Sequence, residues 1–158
     1  MTDISQPRYA VYYAPPRDSR LWRLAQSWLG RDCESGETLA QPELDGWAAA
    51  EIFSATESPR RYGFHATLKA PFRLTPGKTL EDLERSLGDF AARQHPFQAP
   101  RLKVSAIGPF LALTLSSPSP EMEALAAAAV TDLEPLRAAL NEQDMARRLA
   151  AGLSPRQE

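Results

Sequence analysis

The strongest constraint on the fold is an alternating segment at residues 60–72, which reads Arg-Arg-Tyr-Gly-Phe-His-Ala-Thr-Leu-Lys-Ala-Pro-Phe. Side chains on a β-strand point to opposite faces in turn. As a strand, the segment would turn Tyr62, Phe64, Ala66, Leu68 and Ala70 towards a core. Its other face would carry Arg61, Gly63, His65, Thr67 and Lys69. An imidazole, a hydroxyl and two cations on one face predict a binding site for an anion.

The rest of the chain predicts helices and strands in an irregular order. Strands are predicted at residues 8–14, 101–108 and 110–116, the last two as a hairpin, with helices at 19–30, 42–55, 79–91, 119–133 and 142–151. Capping residues support several of these helices, among them Asp18 or Ser19, Thr79 with Asp82, Ser119 with Pro120, and Asn141. Gly30 and Gly152 are predicted to end the first and last helices, and residues 56–59 are predicted as a loop. The helical spacing of residues 21–29 predicts a buried stripe that includes Trp22 and Trp28. Because strands and helices do not alternate regularly, the pattern predicts an α+β fold.

Composition excludes several classes of protein. The chain has 158 residues, enough for one domain or two small lobes, and its net charge is −2. It therefore has no general positive field for a long nucleic acid, although a small anion needs only a few cations. A single cysteine, Cys33, excludes an intrachain disulfide, and one cysteine with two histidines disfavours a common zinc site. No signal pattern or membrane-spanning run is present, so we expect a cytoplasmic protein without a membrane partner.

The segment at residues 60–72 also resembles a known family motif. Phe-His-Ala-Thr-Leu-Lys-Ala-Pro-Phe is similar to the first His-x-Thr signature of the 2H phosphoesterase superfamily, and more narrowly to its bacterial, DUF1045-like branch associated with phosphonate metabolism. The similarity extends over residues 8–157. Members carry two such motifs, one per lobe, and this sequence has one.

The resemblance implies the architecture, a fold of two lobes of antiparallel strands with outer helices. We expect residues 1–158 to form a single domain of this kind. The first lobe would cover about residues 1–116. About residues 117–158 would form the start of a second lobe that is incomplete.

The resemblance also implies the chemistry. Two histidines act as general base and general acid, threonine hydroxyls hold phosphate oxygens, and no metal or other cofactor is needed. By resemblance, the catalytic residues here are His65 and Thr67, acting on a small cyclic phosphate or phosphodiester, possibly derived from a ribose or a nucleotide. Alternation alone adds Arg61 and Lys69 as phosphate-binding residues. Tyr12 is a further candidate, as a stacking partner for a sugar or base, if its face of the first strand looks into the same cleft.

Alternatives follow from the missing second motif. His95 lacks a hydroxyl two residues later and is interpreted as a helix-end residue. The chain could be a non-catalytic protein that holds a phosphorylated ligand through Arg61, Thr67 and Lys69, or a truncated inactive lobe. A homodimer could bring two copies of His65 together, so the oligomeric state stays open.

Overall fold

A computed structural model of the chain describes residues 7–108 and 110–150, apart from the side chains of Gln143, Arg147 and Arg148. Its elements in order are β1 (Tyr9–Tyr13), α1 (Arg20–Leu29), α2 (Ala49–Ala55), α3 (Glu57–Arg60), β2 (Ala66–Phe72), α4 (Leu80–Ala92), β3 (Leu102–Ile107), β4 (Phe110–Leu115), α5 (Pro120–Asp132), a 3-10 turn (Glu134–Leu136) and α6 (Glu142–Ala150). The predicted α+β class is confirmed.

The chain divides into two units. Within the described residues, unit A comprises residues 11–68, and unit B comprises residues 7–10, 69–108 and 110–150. The buried apolar side chains of unit A are Val11, Trp22, Ala25, Leu29 and Ile52, and those of unit B are Phe72, Leu83, Phe90, Ala129, Leu133 and Leu136. Among the described residues, no helix has the length and apolar character that crossing a membrane requires.

Strands β1 and β2 form one two-stranded sheet. The Arg8 guanidinium, just before β1, donates a 2.8 Å hydrogen bond to the Pro71 carbonyl near the end of β2. Tyr12, near the end of β1, stacks on His65, just before β2. The start of one strand therefore lies by the end of the other, so the pair runs antiparallel.

Strands β3 and β4 form the predicted antiparallel hairpin. The register aligns side chains that share one wholly apolar face: Leu102, Val104, Ala106, Leu111, Leu113 and Leu115. This face is largely open, with Val104 71% and Leu111 77% exposed. An apolar sheet face of this kind normally packs against another element or a partner.

Helix α1 follows the predicted caps but buries a narrower stripe than expected. The Ser19 hydroxyl accepts from the Trp22 amide, and Gly30 ends the helix in the left-handed region. Trp22 is buried as predicted, whereas Trp28 is 45% exposed, so its expected place in the core is wrong. At about 100° per residue, Trp22 and Leu29 lie on the same side of the helix, and Trp28 is turned about 100° away from them around the helix axis.

The predicted helix at residues 42–55 is wrong over its first half. Helix α2 covers Ala49–Ala55, and the residues before it are not helical. Gly46 has a φ of +80°, which a right-handed helix does not accept, so the chain turns there. Trp47, predicted to lie on the helix, precedes it and is 58% exposed. Helix α3 in turn occupies the stretch predicted as a loop.

The later helices begin where their capping residues predict. Thr79 and Asp82 form the capping box of α4, and Ser119 caps α5 with Pro120 at its first position. The Asn141 side chain accepts from the Asp144 amide at the start of α6. The predicted stop at Gly152 lies outside the described residues.

Removing the cap of α4 should cost measurable stability. We expect Thr79→Ala to lower the free energy of unfolding by about 1 kcal/mol, because the Thr79 hydroxyl accepts from the Asp82 amide. As a control, Thr131→Ala removes a hydroxyl that only bonds back to its own helix, and should change stability by less than about 0.5 kcal/mol. Urea denaturation of both variants measures the difference. Equal losses would contradict a capping role.

Candidate functional site

The anion-binding face predicted at residues 60–72 forms only in part. Strand β2 begins at Ala66, whereas residues up to Arg60 form α3 and Arg61 lies in the turn that follows. Gly63 then has a φ of +73°, which interrupts any extended run. The prediction that Arg61 and His65 lie on the strand is therefore wrong. His65 instead sits in the short connection that leads into it.

The His65 ring is held by two contacts within unit A. Its Nδ1 lies 2.9 Å from the Gly63 carbonyl oxygen. The ring of Tyr12 stacks on it with centroids 3.9 Å apart and planes at 27°. Because a carbonyl oxygen only accepts, Nδ1 carries a proton and donates it. In the neutral imidazole, Nε2 is then the unprotonated nitrogen, which is the form a general base requires.

The peptide that anchors His65 packs against the side chain of Cys33. A Cβ built on Gly63 would lie 2.6 Å from Cys33 Cβ and 3.0 Å from its Sγ. The Cys33 sulfur also accepts a 3.0 Å hydrogen bond from Gln26 Nε2, and Gln26 is only 3% exposed. Cys33 lies between acidic residues in the sequence, which predicts a free thiol without a nucleophilic role. In the structure it is a free thiol that packs against Gly63, two residues before His65.

Thr67 and Arg61 are both accessible to solvent. Thr67 is exposed on β2, two residues after His65. The side chain of Arg61 is 73% exposed and lies 3.8 Å from the Glu57 carboxylate, one helical turn earlier. A surface pair of this kind contributes little energy and leaves the guanidinium available to a ligand. The second histidine, His95, is exposed beyond the end of α4.

Lys69 lies in a different environment from the one expected. Its side chain is 4% exposed, and its ammonium donates to the Val130 carbonyl at 2.7 Å and to Glu134 at 2.8 Å. The other Glu134 oxygen accepts from Arg137. These hydrogen bonds, from Arg137 first and then Lys69, lower the pKa of Glu134 to about 2. The Lys69 ammonium is thus paired with a carboxylate inside unit B.

Neither a metal centre nor a second anion site is evident in unit A. Within residues 7–108 and 110–150, no three His, Cys, Asp or Glu side chains cluster closely enough to hold a metal ion. A cavity of about 980 Å³ borders α2, with Glu43 and Asp45 in its lining and no cation among the lining residues. Two carboxylates without a cation repel a phosphate, so this cavity does not suit one.

Comparison with known proteins identifies the family. Residues 67–158 match the family described as "Protein of unknown function (DUF1045)". The chain belongs to the DUF1045 family. The match begins at Thr67 and so leaves His65 just outside it. No solved structure matches the chain.

Two curated relatives of this DUF1045 chain carry the same name, "Ribose 1,5-bisphosphate phosphokinase PhnN". One, from Janthinobacterium sp. (strain Marseille), is 41% identical over 97% of this chain and 34% of its own length. The other, from Laribacter hongkongensis (strain HLHK9), is 39% identical over 83% of this chain and 31% of its own length. The chain thus spans about a third of the relatives it matches.

Proposed function

We propose that this DUF1045 chain is a phosphoesterase of the 2H type that hydrolyses a small phosphate ester. His65 Nε2 takes a proton from the water that attacks the phosphorus, and a second group gives a proton to the ester oxygen that leaves. The observation that carries the proposal is the anchored imidazole: Nδ1 donates to the Gly63 carbonyl, which leaves Nε2 free to accept a proton. Thr67 follows on the adjoining strand with an exposed hydroxyl that can donate to a phosphate oxygen. The acid–base step by His65 needs no metal.

We propose a small cyclic phosphate or phosphodiester of a ribose or nucleotide as the substrate, within phosphonate metabolism in the cytoplasm. The name shared by the two relatives supports a phosphorylated ribose as the class of ligand. Arg61 supplies an exposed cation for the phosphate. Tyr12 already stacks on His65, so its 40% exposed ring would contact the ligand from beside the imidazole. Lys69 is hydrogen-bonded to Glu134 within unit B and has no part in this proposal.

The proposed mechanism requires a second acid–base group, which the first lobe does not supply. A single lobe offers one His-x-Thr motif, and the other would come from the remainder of the second lobe or from a second copy of the chain. The open apolar face of the β3–β4 hairpin is where we propose that the remainder of that lobe packs. The alternative remains a protein that binds a phosphorylated ligand through Arg61 and Thr67 without turning it over.

Assay of the 158-residue chain on 2′,3′-cyclic nucleotides and a cyclic ribose phosphate tests the proposal. We expect turnover that disappears in His65→Ala and persists in His95→Ala, which removes the other histidine as a matched control. A rate that rises with the square of protein concentration would favour a catalytic dimer. Ligand binding without turnover would favour the binding alternative. Equal turnover in both histidine variants would contradict a catalytic His65.

A further inference from the structure

Unit B contains a charged cavity that the proposed phosphoesterase site does not use. It has a volume of about 500 Å³ and lies beside the second half of β2, the end of α5 and the start of α6. Its charged lining residues are Arg8, Lys69, Arg73, Arg137, Glu134 and Asp144, and apolar side chains, including Phe72, Val130 and Leu140, complete the wall. Ligand cavities of small organic molecules have this size and this mixture of groups.

The charges in this lining do not balance. Glu134 is shared by two cations, Lys69 and Arg137. Asp144 pairs with Arg73. Arg8 has no carboxylate partner among the described residues, and one of its Nη atoms donates to the Pro71 carbonyl. Four cations therefore face two carboxylates, and the surplus corresponds to two positive charges.

We propose that this cavity binds a small phosphate monoester. A phosphate monoester carries a charge between −1.5 and −2 at neutral pH, which matches the surplus. Guanidinium groups present N–H donors in a planar fork that fits phosphate oxygens. Arg8 and Arg73 both retain such donors, because each uses a single Nη atom in the contacts described.

A purely structural role for the cluster does not account for Arg8. Lys69 and Arg137 share the Glu134 carboxylate, and Arg73 pairs with Asp144, so each of these three cations has a structural partner. Arg8 is exposed and adds positive charge to a lining that is already positive. Like charges around one cavity repel one another unless an anion lies among them. The inference rests only on residues of unit B and does not depend on His65.

Phosphate binding by the full chain tests the inference. The probe is inorganic phosphate at pH 7.5, followed by calorimetric titration and by the shifts of the arginine Nε–H signals in NMR, with chloride at matched ionic strength as the reference. We expect saturable binding that shifts the Arg8 and Arg73 signals. We expect Arg8→Gln to raise the Kd about tenfold, the loss that follows from removing one charge-assisted hydrogen bond.

Two control variants make the outcome decisive. Lys103→Gln removes one cation of unit B that does not line the cavity, and should change the Kd less than twofold. His65→Ala should leave the Kd unchanged, which separates this cavity from the proposed phosphoesterase site. The inference is overturned if phosphate has no effect beyond that of chloride, or if Arg8→Gln and Lys103→Gln weaken binding equally.

Discussion

Gly63→Ala is expected to lower the free energy of unfolding by about 2–4 kcal/mol. Two costs add at this position. The backbone φ of +73° is strained for any residue with a Cβ. The new methyl group would also lie 2.6 Å from Cys33 Cβ, a distance at which one of the two segments must shift. Because the Gly63 carbonyl accepts from His65, a shift here also reorients the imidazole.

A matched glycine separates the two costs. Gly46 has a φ of +80°, but a Cβ there would meet nothing within 4 Å. We expect Gly46→Ala to cost only about 1–2 kcal/mol, the strain of a left-handed backbone. Urea denaturation measures both variants. Adding Cys33→Gly to Gly63→Ala should recover part of the larger loss, since it removes the atom that clashes. Equal losses for the two glycines would show that Cys33 does not confine Gly63.

The sequence correctly predicted those helix starts and strands that depend on interactions between residues close together in the chain. The Thr79–Asp82 box and the Ser119 hydroxyl accept from free amides at a helix start, and Pro120 has no amide hydrogen that needs a partner. The sequence alone therefore shows where α4 and α5 begin. The β3–β4 hairpin follows similarly from two short alternating runs joined by a turn. Alternation failed at residues 60–65, because an alternating pattern does not reveal that a short helix and a left-handed glycine interrupt it.

The candidate site could be predicted only as far as neighbouring residues determine it. The sequence pointed to His65, Thr67 and Tyr12, and the structure joins the first and last of these by stacking. It gave no sign that Cys33 packs against Gly63, thirty residues later. Nor did it show that Lys69 is buried, because the carboxylate that balances its charge lies 65 residues further on. Contacts between such distant residues depend on the tertiary fold.

Glu134→Gln is expected to lower the free energy of unfolding by about 2–3 kcal/mol. The substitution keeps the shape of the side chain but leaves the Lys69 ammonium, 4% exposed, without a counter-charge. Removing one partner of a fully buried pair costs about 3–5 kcal/mol. We expect less here because the Glu134 side chain is itself 45% exposed and water can partly replace it.

Two further variants test the cause of this loss. Glu123→Gln removes an exposed carboxylate from α5 and should change stability by less than about 0.5 kcal/mol. Lys69→Met combined with Glu134→Gln removes the buried ammonium together with its partner, so the double variant should be more stable than Glu134→Gln alone. A double variant that loses the sum of the two single effects would contradict an unpaired buried charge as the cause.

The free energy of unfolding at low pH should depend on the same Glu134 contacts. The pKa of Glu134 is lowered from an ordinary 4.5 to about 2 in the folded chain, so the unfolded chain binds a proton more readily. Its contribution is present above about pH 4.5 and is lost as the pH falls through about 2. The Thr79 amide also lowers the pKa of Asp82, so Asp82 contributes to the loss of stability in acid equally in the parent chain and in Glu134→Gln. Urea denaturation between pH 7 and pH 2 measures the free energy of unfolding, which should fall less steeply with falling pH in Glu134→Gln than in the parent chain. Parallel falls in the two proteins would show that the Lys69–Glu134–Arg137 contacts do not stabilise the fold.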